Sequence, residues 1–245
     1  MYNKTKSDSR KYLITSIVMG ILDVIRGIFV VNLLGPYLSG LCTALLVIPQ
    51  VSQYLYGGLI NAMTVLVPAY NGKGNLEKSR VVRNSVINIT SLISCISFLF
   101  VFLYLFLKPS DSFEFNVFVI LAGGLIIIWQ AQKFFLTIFV TEHNFKKLIV
   151  IELSFSFLVT LSQIVLIYFF KGIGFWLGFI SSGTIVVVYL TRDYLRRHEV
   201  ALFKIDLEET KKMVPLAITM VFSGVAYVPF VILTKTFLAN TVGAL

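Results

Sequence analysis

Val86-Ile-Asn-Ile-Thr-Ser-Leu-Ile-Ser-Cys-Ile-Ser-Phe-Leu-Phe-Val-Phe-Leu-Tyr-Leu-Phe-Leu107 runs for 22 residues without a charged side chain. A bilayer hydrocarbon core ~30 Å thick is crossed by about 20 apolar residues in helical conformation. Barrel strands would be about ten residues long with strict alternation, which this run lacks. The stretch therefore reads as a transmembrane helix. Six further segments of the 245-residue chain read the same way or nearly so: 13–34, 42–69, 115–139, 148–170, 174–191 and 213–238. Composition agrees, with 57% hydrophobic and only 13% charged residues, against about a quarter charged in soluble domains. The expectation is an all-α, polytopic transmembrane bundle of about seven helices.

Orientation follows from the loops. Sixteen Lys and Arg residues fall on one side of the proposed spans, at 4–11, 73–83, 146–147 and 192–212. Two, Lys108 and Lys171, fall on the other. Cytoplasmic loops carry such an excess, so the N-terminus is expected inside and the protein multi-pass in the cytoplasmic membrane. The first apolar run is too long for a signal-peptide core and no small-x-small cleavage site ends it, so it reads as a retained helix. The net charge of +9 is spread over these loops and forms no basic face with interleaved aromatics. Nucleic-acid binding is not expected.

Several local signals refine the picture. Asp206-Leu-Glu-Glu209 has the form of a capping box that starts a short interfacial helix before the seventh span. Asn75 and Glu77 suggest a similar start before the third. Gly174, Gly178 and Ser182 recur every four residues, a pattern suited to close helix packing. Cys42 and Cys95 lack metal-ligand spacing and read as small buried hydrophobes. His143 and His198 lie in polar loops, so no metal site, cofactor or histidine-dependent enzyme chemistry is expected.

The residues that do not belong in lipid point to function. Asp23 and Arg26 lie three apart on one face of the first span, and each costs roughly 2.5–3.5 kcal/mol at a helix centre. Two readings stand: a self-neutralising pair, or a pair lining a cavity. Gln50, Gln53, Gly57, Asn61, Thr64 and Pro68 form one stripe on the second span. Gln130, Lys133 and Thr137 share a face of the fourth, and Glu152, Ser156, Thr160 and Gln163 a face of the fifth. Lys235 sits near the outer end of the seventh, where it can also snorkel. Several helices with one polar face each describe a bundle around a hydrated cavity. The cavity candidates are Arg26, Gln50, Gln53, Asn61, Gln130, Lys133 and Lys235, and the candidate ion-coupling carboxylates are Asp23 and Glu152.

Motifs in order along the whole chain carry a resemblance. Leu33-Leu-Gly-Pro-Tyr-Leu-Ser-Gly40 resembles the LG-P-x-x-x-G turn of polysaccharide flippases. Gly57-Gly-Leu-Ile-Asn-Ala62 and Ala69-Tyr-Asn-Gly-Lys-Gly-Asn-Leu-Glu-Lys78 are similar to their second helix end and first cytoplasmic loop. Phe145-Lys-Lys-Leu148, Tyr168-Phe-Phe-Lys-Gly-Ile-Gly174 and the charged loop into Pro215 sit where counterparts occur. The chain thus resembles the O-antigen and capsule flippases of the multidrug/oligosaccharidyl-lipid/polysaccharide exporter superfamily. The resemblance implies alternating access between two lobes and export of undecaprenyl-pyrophosphate-linked oligosaccharide. Membrane lipids and other polysaccharide-assembly membrane proteins are the further partners it implies. It also implies that residues 1–205 form an N-terminal six-helix lobe, with 206–245 an interfacial helix and the first span of a truncated second lobe. The pyrophosphate would be drawn to Arg26 and Lys133. The rivals are a cation-coupled multidrug exporter of the same superfamily and a non-transporting membrane remnant.

Overall fold

The computed structural model describes residues 2–110, 112–197 and 206–225, with side chains described from residue 13 up to residue 222. Every element among them is an α-helix: α1 (Tyr2–Leu34), α2 (Pro36–Leu45), α3 (Val47–Gly72), α4 (Leu76–Leu107), α5 (Phe113–Thr141), α6 (Phe145–Arg197) and α7 (Leu207–Val225). α2 and α3 follow each other as one 37-residue stretch, Pro36–Gly72, so the described residues hold six helices. Five of these are long and apolar enough to cross a membrane by length and composition: Leu13–Leu34, Pro36–Gly72, Leu76–Leu107, Phe113–Thr141 and Phe145–Arg197. The chain is a multi-pass membrane protein.

The count differs from seven for two reasons. The fifth and sixth expected spans are the two limbs of α6, and the outer part of the seventh, with Lys235, lies outside the described residues. α6 turns back on itself at Lys171, whose φ of 48° and ψ of −126° leave helical space. A straight 53-residue helix would separate Lys147 from Asp193 by roughly 70 Å, yet their side chains form an ion pair. Glycine makes this hairpin possible. A Cβ at Gly174 would lie 2.1 Å from the Leu166 carbonyl oxygen, and one at Gly178 would lie 2.8 Å from Gln163 Cα. The expected small-residue ladder is therefore the contact face of the hairpin. Ser162 and Ser182 hydroxyls meet across it at 2.5 Å, and Gln163 Nε2 donates to the Phe175 carbonyl at 3.0 Å.

Helix starts match their capping chemistry. Asn75 Oδ1 accepts from the Lys78 amide, and Ser112 Oγ from that of Phe115. Asn75 starts α4 itself, continuous with the third span, not a separate interfacial helix. Gly35 to Leu41, expected as a loop, is mostly helical. Gly35, at φ 77°, makes the corner and Pro36 opens α2, where its missing N–H leaves no intrahelical bond unmade. The break at Leu46 comes three residues before Pro49, which cannot donate to the Leu45 carbonyl.

α5 is the hub, packing on α3, α4 and α6, while α1 packs chiefly on α6 and leaves most of its surface uncovered. Two apolar cores follow one another along the bundle. One gathers Val30, Leu34, Cys42, Phe118, Ile167 and Trp176 around the α6 turn. The other gathers Ile60, Val67, Val86, Phe134, Phe139 and Tyr194 toward the opposite end. Cys42 is buried as expected, but Cys95 faces outward from α4 and is not a core thiol.

The basic loops meet at the end that holds Tyr194. Arg197 donates to Glu142 at 2.6 Å and to Asp193 at 2.5 Å. Arg83 of α4 adds a 3.7 Å contact to Glu142, and Lys147 pairs with Asp193. Arg197 and Lys147 both lie over the Phe139 ring, at 5.2 and 5.3 Å. The start of α7 docks at the same end. Asp206 caps the helix by accepting from the amides of Glu208 and Glu209, and its own amide donates to Ser85 Oγ. Glu209 does not complete the expected box. Its carboxylate turns to α3, accepting from the Tyr70 hydroxyl at 2.6 Å, and pairs with Lys212 at 2.7 Å.

This latch predicts a pH dependence. Burial pushes the Glu209 carboxyl up, but hydrogen bonds from Lys212 and Tyr70 and the charges of Lys212 and Lys78 outweigh it and hold the group below its ordinary range. A depressed carboxyl contributes stability that is complete above the unfolded value, about 4.3, and is lost as pH falls through the folded one. Hydrogen exchange at the start of α7 should therefore quicken as pH falls below about 4.3, after correction for the intrinsic rate. Glu209→Gln should show the looser state already at neutral pH and lose the dependence.

Candidate functional site

A polar cleft of about 190 Å³ opens where α3, α5 and α7 meet. α3 supplies Gln53, Tyr54, Tyr56, Gly57, Gly58 and Asn61, α5 supplies Lys133, and α7 supplies Met220 and Val221. Successive steps of four residues put Gln53, Gly57 and Asn61 on one face of α3. α7 reaches that face because Gly58 has no side chain: a Cβ there would lie 2.6 Å from the Ala217 carbonyl oxygen. Within the lining, Lys133 is the single charged residue. The Tyr56 side chain is fully buried, and its hydroxyl has no hydrogen-bond partner among the described residues. A buried hydroxyl without a partner costs about 1–3 kcal/mol.

Of the expected cavity residues, the cleft unites Gln53, Asn61 and Lys133. Gln130 is not with them. It is buried between α4 and α5, donating to Thr90 Oγ1 at 2.8 Å. Gln50 is half-buried one turn before Gln53 and outside the cleft lining. Glu152 stands close enough to Lys133 for the two charges to interact, and its Oε2 is buried without a hydrogen-bond partner among the described residues. The remainder of its face, Ser156, Thr160 and Gln163, is buried packing. Tyr54 and Tyr56 were not among the sequence candidates, since an aromatic residue in a membrane span reads first as packing.

Arg26 lies elsewhere. Its guanidinium contacts Asp23 at 3.0 Å and sits 5.4 Å over the Phe179 ring of α6. Phe179 in turn meets Trp129 of α5 edge-on, with ring centroids 6.1 Å apart. Trp129 is one turn before Lys133, so an aromatic pair stands between the two cations. Asp23 and Arg26 thus pair with each other, with Asp23 the more exposed partner at 54% against 22%. No group of His, Cys, Asp and Glu among the described residues could hold a metal ion.

The fold and the cleft define a class, a helical multi-pass membrane protein with a polar cleft between its helices. No family model matches the chain, and neither a curated protein nor a solved structure does.

Proposed function

We propose that this chain is a lobe of a flippase that carries lipid-linked oligosaccharide across the cytoplasmic membrane, a member of the polysaccharide flippases it resembles in sequence. The observation that carries the reading is a cleft in which Lys133 is the single charged residue and which also offers Gln53 and Asn61 and is lined by Tyr56. Cation, hydroxyl and amide suit a pyrophosphate and the sugar next to it. The Glu152 charge attracts Lys133 in the empty cleft, and the arriving phosphate takes over as its counter-charge. The uncovered faces of α1 and α3 pack against a second lobe, and rocking of the two lobes opens the cleft to either side in turn. The polyprenyl tail stays in lipid. An exporter of organic cations would need acidic groups in its cleft, and no carboxylate lines this one.

Trp129, one turn from Lys133, supplies a fluorescent reporter. The protein in detergent should respond to undecaprenyl pyrophosphate and not to undecaprenol. Lys133→Gln should weaken the response about tenfold or more, since hydrogen bonds to charged groups contribute about 1.5–3 kcal/mol. Equal responses to the two lipids, or quenching by a hydrophobic cation alone, would remove the headgroup reading.

A further inference from the structure

Two apolar grooves run down the outside of the bundle from its basic end, one on each side of Val150. The first lies between α1 and α6, about 410 Å³, with Ile14 and Ile149 in its walls and Lys146 at its rim. The second lies between the limbs of α6, about 280 Å³, with Ile185 and Tyr189 in its walls and Lys147 at its rim. Val150, 62% exposed, is the ridge they share. Lys146 is exposed, and its ammonium makes no ion pair or hydrogen bond among the described residues. Lys147 joins Arg83 and Arg197 in a cluster where three cations share two carboxylates, Glu142 and Asp193. A surplus of positive charge therefore crowns a pair of parallel apolar channels.

We infer that this face is a site for one anionic diacyl phospholipid of the leaflet at the basic end, its phosphate on Lys146 and its two acyl chains straddling Val150. Charge complementarity selects the occupant: basic pockets between membrane helices on the cytoplasmic side attract anionic headgroups, with about 1 kcal/mol for each Lys or Arg near the surface. Two channels beneath one charged rim match two chains beneath one phosphate. A transmembrane helix of another protein would fill the grooves but would not need the unpaired lysine. This site lies on the lipid-facing surface and is independent of the cleft on α3, α5 and α7.

The probe is phosphatidylglycerol competing with phosphatidylcholine for the purified full chain in mixed micelles, read by native mass spectrometry. The wild type should retain phosphatidylglycerol in preference. Lys146→Gln should reduce that preference about fivefold, the ratio equivalent to one surface charge. Val150→Trp, which fills the channels from an exposed position, should lower retention of both lipids. Lys108→Gln, at the opposite end, should change nothing. No headgroup preference in the wild type would overturn the site, as would a preference that survives both Lys146→Gln and Val150→Trp or that falls equally with Lys108→Gln.

Discussion

Gly174→Ala prevents the α6 hairpin from closing and destabilises the protein by about 3 kcal/mol or more, the upper range for overpacking, while Gly124→Ala leaves stability unchanged or raises it by up to about 1 kcal/mol. Both substitutions add one methyl group to a helical glycine. At Gly174 the new Cβ would meet the Leu166 carbonyl oxygen at 2.1 Å and its carbon at 2.3 Å, both main-chain atoms of the opposite limb. No rotamer change can make room, so the limbs must separate. Separation also breaks the Ser162–Ser182 contact and the Gln163–Phe175 hydrogen bond. Gly124 has no atom within 4 Å of its Cβ position, and alanine is the better helix former by about 1 kcal/mol. Thermal unfolding of the two variants in one detergent should differ clearly. Equal stability would show that the limbs do not touch at Gly174.

The same hairpin marks what the amino-acid pattern can reveal. Repeated small residues at 174, 178 and 182 announce a close contact, because only small side chains let two helix backbones approach. Asp206 and Asn75 announce helix starts, because their side chains satisfy amides that the helix leaves open. A stripe gives a face of a helix but not its neighbour. Gln130 and Lys133 are three residues apart on α5, yet one meets Thr90 of α4 and the other the cleft beside α3. Helix contacts change over less than one side-chain width, and hydropathy periodicity carries no record of that boundary. Glu209 shows the same limit: its spacing from Asp206 suits a capping box, but its carboxylate accepts from Tyr70, 139 positions away, while the Asp206 amide donates to Ser85. Tyr56 was hidden for a different reason. Its ring belongs to the core cluster, and only its hydroxyl makes it a candidate.

On the proposed flippase function, Lys133→Ala should lower glycan export about tenfold or more at normal protein level in cells that rely on this chain for it, and Lys133→Arg should retain a part. The estimate is the loss of a hydrogen bond to a charged group, about 1.5–3 kcal/mol. Arg keeps the charge but spreads it over a planar fork that a cleft of about 190 Å³ accommodates less readily. The Asp23–Arg26 pair should behave in the opposite way. Arg26→Gln alone leaves Asp23 charged within the first span without its 3.0 Å partner, and an unpaired charge there costs roughly 2.5–3.5 kcal/mol. Protein level should fall. Combining it with Asp23→Asn removes both charges and should restore the level and most of the export, since the Phe179 ring can still pack on the Gln side chain. Western blots and an export assay on the single and double variants separate the roles. A double variant that is present at normal level but inactive would place Arg26 in substrate binding, and a silent Lys133→Ala would remove the cleft from the transport path.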